Sequence, residues 1–150
     1  MSLGKSPKEG NKKHRVVLDT NVLISAILSE GVCHVLLEEA NLENIIFHYS
    51  PFILGEVEKV LKAKFGLRGS EVQEYMNLIA EAGLLIDPRK ANVKIEGICR
   101  DPEDDEIIAA AVASSSDFIV TGDSDLLVLK KYEEILIVSP RDFFSKLTVA

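Results

Sequence analysis

The stretch RVVLDTNVLISAIL, residues 15–28, decides how this chain is read. VVLD, 16–19, is a short β-branched apolar run, which suits a central strand buried on both faces. A helix is expected from about Val22, with Thr20 or Asn21 available as its N-cap. Between the two lies a carboxylate. An unpaired Asp at a buried strand-to-helix junction is costly unless a partner or a bound cation compensates it. Asp19 therefore needs company elsewhere in the sequence.

Working outward, helical stretches and apolar strands alternate. GVCHVLLEEA continues as a helix ended by Asn41, and NIIFHYS, 44–50, reads as a second strand. Ser50-Pro51 places a cap and a proline at the start of the helix PFILGEVEKVLKAKFG. Ser70 and Gln73 form a capping box for SEVQEYMNLIAEAG, which Gly83 closes. LLID (84–87) and NVKI (92–95) are candidate extended pieces, and acids at 103–106 after Asp101-Pro102 mark a helix start. DFIVTGD, 117–123, is a strand ending in an acid; DLLVLKKY is expected to be helical, EILIVS a strand, and Ser139-Pro140 a final cap. Such alternation means a parallel sheet with helices on both faces. Residues 1–14, rich in Lys, Gly, Ser and Pro, are expected to be a loose tail, leaving 15–150 as one domain.

At 150 residues and 47% hydrophobic composition, one compact domain with a substantial core is expected. No apolar run approaches the roughly 20 residues that span a bilayer, and the polar, basic N-terminus lacks a signal-peptide pattern. A cytoplasmic protein is expected. Cys33 and Cys99 lack the spacing of a disulfide framework or a zinc site. His14, His34 and His48 lack metal-ligand spacing too. The formal charge of −7 argues, taken alone, against nucleic acid.

The acids answer the opening question. In an open parallel α/β sheet the functional crevice lies beyond the carboxyl ends of the strands. Asp19 sits at such an end, and so do Asp123 and Asp125 after the turn Thr121-Gly122. Glu56 shares a helical face with Ile53 and Val60, and Asp105 with Ile108, Ala109 and Val112. Acids on packed faces are hard to explain as ordinary surface. Converging carboxylates without His or Cys raise one another's pKa unless a divalent cation holds them ionised, and oxygen-only ligation selects Mg²⁺ or Mn²⁺, one ion or two. Such sites activate water and steady a phosphodiester under cleavage. Setting five site acids aside takes the charge from −7 to −2, so acidity no longer excludes RNA. Lys59, Lys62, Lys64 and Arg68 are candidate contacts to its backbone.

The pattern resembles the PIN-domain family, and within it the small stand-alone toxins of the VapC type. VVLDTNVLISAIL is similar to the family's opening signature, SPFILGEVEKVL to its second segment, and RDPEDDEIIAAAVASSSDFIVTGDSDLL to its third and fourth run together. The resemblance implies a three-layer α/β/α fold around a mainly parallel sheet of about five strands. It makes Asp19, Glu56, Asp105 and Asp123 the metal-binding and catalytic acids, with Asp125 accessory and with Asn21 and Thr121 positioning water or the acids. The DPEDDE run also offers Asp101 and Asp104; the family places its acid three residues before an aliphatic-Ala pair, here Ile108-Ala109, which selects Asp105 with Asp104 as the alternative. The implied activity is metal-dependent endonucleolytic cleavage of RNA by a toxin with a protein antitoxin, as a homodimer.

Two other functions compete. An aspartate-nucleophile phosphatase or receiver module also puts an Asp after a strand, but such phosphatases want a second Asp two residues on, where this chain has Asn21. A non-catalytic PIN-like module binding RNA or protein would suit a sequence that had lost its acids.

Overall fold

The structure, a computed structural model, describes residues 13–148. In chain order its elements are β1 (His14–Leu18), α1 (Thr20–Leu28), α2 (Val32–Asn41), β2 (Ile45–Tyr49), α3 (Pro51–Ala63), α4 (Gly69–Ala82), β3 (Leu84–Leu85), α5 (Pro102–Ala113), β4 (Phe118–Val120), α6 (Ser124–Leu127), β5 (Lys131–Tyr132), β6 (Ile135–Val138) and α7 (Pro140–Thr148). The strands form one six-stranded sheet in the order β3-β2-β1-β4-β6-β5, parallel throughout except for the β5–β6 pair.

Alternate residues of a strand face opposite sides, so a strand with no exposed residue is covered on both. Val16, Val17 and Leu18 of β1 are wholly buried, as are Ile119 and Val120 of β4. Helices thus lie on both faces, in three layers. Chain order explains where the crevice falls: β1, β2 and β3 step one way across the sheet, whereas β4 and β6 extend the other way from β1. The reversal lies between the carboxyl ends of β1 and β4, where doubly wound sheets open a ligand crevice. The ladder persists to the edge of that crevice, since the Asp19 N–H donates to the Val120 carbonyl (3.0 Å) and the Thr121 N–H to that of Val138 (2.9 Å).

Local chemistry sets the elements that reach the crevice. Ser50 Oγ accepts from the Ile53 N–H at 3.2 Å with Pro51 at the first helical position, so α3 starts where β2 ends. Ile53, Val57 and Leu61 then turn one buried face inward and hold Glu56 beside it. Asp101 caps α5 by accepting from the Glu103 N–H at 2.9 Å. Gly83 ends α4 for want of space: with an ordinary extended φ of −132°, a Cβ there would run into the buried Phe47 ring.

Several expectations need correction. His14 belongs to β1, its ring edge-on to Phe118 at 5.2 Å; of the expected tail, residues 1–12 lie outside the described part. The sheet has six strands because β3 and β5 add two-residue edges to four longer ones. The α1 N-cap is Asp19 itself, and α4 begins at Gly69, where Glu71 reaches back to the Arg68 N–H (2.9 Å) in place of the expected Ser70–Gln73 box. NVKI forms no strand. The helix expected over DLLVLKKY stops at Leu127, and Lys130, at φ 67°, turns the chain into β5. No single helix among the described residues is long and apolar enough to cross a membrane.

Candidate metal centre

Asp19 and Asp123 come from the two loops flanking the reversal and are joined through one hydroxyl. Thr121 Oγ1 donates to Asp19 Oδ2 at 2.7 Å and accepts from the Asp123 N–H at 3.0 Å. Asp19 Oδ1 accepts from the Thr20 N–H at 2.7 Å. Asp123 Oδ1 in turn accepts from the Asp125 N–H at 3.0 Å, so this acid caps the short α6. Thr121 is wholly buried, which fixes its hydroxyl between the Asp19 carboxylate and the Asp123 backbone N–H.

The third central acid comes from α5. Asp104 is 8% exposed, and its Oδ2 is buried with no hydrogen-bond partner among the described residues. Oxygens of Asp104, Asp123 and Asp125 lie within 4.8 Å of one another. Burial first, then the charge of Asp123 and a proton shared with its side chain, followed by the charges of Asp101 and Asp19, pushes the Asp104 carboxyl up to about 7. Asp19 is also raised, by burial above all and then by Asp123, against the downward pull of its Thr121 and Thr20 hydrogen bonds. Carboxylates crowded into a buried site resist ionisation unless a cation compensates them. An all-oxygen donor set with a buried, unpartnered carboxylate oxygen fits a hard divalent ion.

Asp105 departs from expectation. It is buried, but both its oxygens are taken: Oδ2 accepts from the Gly97 N–H at 3.0 Å and Oδ1 from the Cys99 N–H at 2.8 Å. It anchors the 97–99 loop, whereas the neighbouring Asp104 faces the crevice. The physical reason is that α5 is buried nearly all round: Asp104, Asp105 and every residue of 107–111 are inside. A helix with no polar face carries no sequence signal of which of two adjacent acids looks which way.

Of the remaining expected residues, Asn21, Glu56 and Lys64 line the cleft. A cleft of about 480 Å³ has Asp19, Asn21, Glu56, Asp104 and Asp123 in its wall, together with Phe52, Lys64, Asp101 and Glu103. Glu56 is half-buried and holds Lys59 at 3.2 Å. Asp125 holds Arg100, whose Nη2 donates to both its oxygens at 3.1 Å. Of the four expected basic contacts only Lys64 lines the cleft; Lys62 turns to Glu58 (3.0 Å) and Arg68 to Glu71 (3.7 Å). Phe52, Glu103 and Arg100 had no distinguishing pattern in the sequence. A larger groove of about 860 Å³ adjoins at Phe52, but none of the acids expected at the site lines it. Burial first, and then Asp105, pushes the Cys99 thiol up to about 12.

Comparison with known proteins shows the family and the fold. A family model described as PIN domain matches residues 15–125. The chain is 32% identical over 132 residues to the uncharacterized protein MJ1680 of Methanocaldococcus jannaschii, covering 85% of this chain and 82% of that protein. Its fold is similar to that in the crystal structure of VapBC2 from Rickettsia felis bound to a DNA fragment from their promoter, with a TM-score of 0.57 at 18% identity, over 82% of this chain and 96% of that one. It is also similar to FitAcB from Neisseria gonorrhoeae, with a TM-score of 0.51 at 19% identity, over 84% and 98%.

Proposed function

The chain belongs to the PIN-domain family, and on that premise we propose that it is a Mg²⁺- or Mn²⁺-dependent endoribonuclease that hydrolyses RNA phosphodiesters. The observation that carries the reading is the buried, unpartnered Oδ2 of Asp104 set among the other acids of the cleft. Asp19, Asp104 and Asp123 are the proposed ligands, with Asp125 and Glu56 at the margin. The bound ion supplies Lewis-acid polarisation of water and phosphodiester. The chain's residues do the rest: Thr121 holds Asp19 and the Asp123 backbone in fixed relation, Asp104 would offer its unpartnered Oδ2 to the ion, and Asn21 at the cleft wall would orient water or substrate. The fold likeness to VapBC2 and FitAcB supports the further proposal that the enzyme is a toxin with an antitoxin partner. A phospho-aspartate module would leave Glu56 and Asp104 beside Asp19 without a role.

Cleavage of a fluorescent single-stranded RNA with Mg²⁺, Mn²⁺ or EDTA tests the assignment. Wild type should cut only with the divalent ion, and Asp19→Asn or Asp104→Asn should lower the rate at least about a hundredfold. Metal-independent cutting, or a trapped aspartyl-phosphate on Asp19, would overturn it.

A further inference from the structure

Resting on that reading, we propose that Arg100 is a phosphate-binding side chain beside the acid cluster, kept on Asp125 until a divalent cation claims that carboxylate. The Asp125 oxygens that accept from Arg100 belong to the carboxylate grouped within 4.8 Å of Asp104 and Asp123. A cation shared by those acids competes directly with the guanidinium. Arg100 engages Asp125 through Nη2 alone, so the rest of its donor fork is directed elsewhere, and its side chain is 84% exposed. Such an exposed pair is weak and readily exchanged.

The backbone that carries it is anchored, unlike that of an ordinary surface arginine. On one side Asp105 grips the Gly97 and Cys99 N–H groups; on the other, Asp101 caps α5. Arg100 is thereby held at the mouth of the acid cluster. Displaced from Asp125, its planar fork matches a phosphate beside the scissile one. Metal and RNA then help each other to bind, and the coupling is reciprocal by linkage.

Two measurements on wild type and Arg100→Gln test this. Titration of Mn²⁺ followed by its electron paramagnetic resonance signal should show the variant binding the ion about two- to five-fold more tightly, the competitor being gone. Fluorescence anisotropy of a single-stranded oligoribonucleotide, checked intact on a gel, should show the slope of log affinity against log KCl shallower by about 0.7 in the variant with Ca²⁺. In EDTA the two slopes should coincide. Equal slopes in Ca²⁺, or weaker Mn²⁺ binding by the variant, would overturn the role of Arg100 alone; failure of wild type to bind Mn²⁺ would overturn the nuclease reading with it.

Discussion

Asp104→Asn should make the metal-free protein more stable, and increasingly so as the pH rises. The folded state holds the Asp104 proton up to about pH 7, against 3.8 for an ordinary Asp, because the carboxylate is buried beside Asp123. A raised carboxyl pKa means that the unfolded chain ionises first, so stability is lost as pH climbs from 3.8 through 7. At 1.36 kcal/mol per unit, the loss is on the order of 2 kcal/mol at pH 5 and about 4 kcal/mol at pH 8. Asn does not titrate. The stability difference between variant and wild type should therefore grow by about 2 kcal/mol from pH 5 to pH 8, roughly 4–8 °C in midpoint for a chain of this size. Thermal unfolding followed by circular dichroism in EDTA reads this directly, and added Mg²⁺ should stabilise wild type alone. A variant whose advantage is the same at both pH values would refute the claim that the folded chain forces these acids together.

Asp105→Asn should behave differently. An amide has one acceptor where the carboxylate offers two, so either the Gly97 or the Cys99 N–H is left wanting and stability falls by about 1–3 kcal/mol in urea unfolding; Mn²⁺ affinity should stay within about two-fold of wild type, and its loss from a folded variant would return Asp105 to the metal. His48→Leu should protect against acid. His48 is 4% exposed, neither ring nitrogen has a well-formed hydrogen bond, and burial, then Arg15, lowers it to about 4 despite a small opposing pull from the Leu84 backbone. A lowered histidine pKa takes stability away as pH falls from 6.5 toward 4, by at most about 3 kcal/mol. Wild type should lose more midpoint temperature than the variant between pH 7 and pH 4.5; equal losses would mean that the imidazole finds a partner when charged.

The layered fold was legible because its signals are local: Val16–Leu18 reads as a doubly buried strand, and Ser50-Pro51 and Asp101-Pro102 mark helix starts at the positions the structure uses. Asp19, Glu56 and Asp123 were legible as acids in apolar surroundings, and the cleft brings them together. The offset between Asp104 and Asp105 was not, since what separates them is a loop folding back to donate two N–H groups across six and eight residues. Arg100 was silent for a similar reason: its partner lies 25 residues away and is reached only once β4 is in the sheet. The short β3 lies within LLID, which the sequence offered as an extended piece, whereas β5 falls in a segment read as helical and depends on its pairing with β6.

Those two-residue strands have a consequence for how molecules meet in a crowded solution. A sheet of parallel apolar strands would ordinarily present long open rims on which another chain could template. Here each edge strand is two residues long, and beyond Leu85 the chain makes one more bond to β2, from the Ile86 N–H to the Tyr49 carbonyl (2.8 Å), before the turn at 88–92. Leu84 and Leu85, though more than half exposed, offer too few backbone groups to recruit an incoming strand. Self-association through this rim would have to run through side chains, with a shape-selective partner, and not through fibril-like stacking.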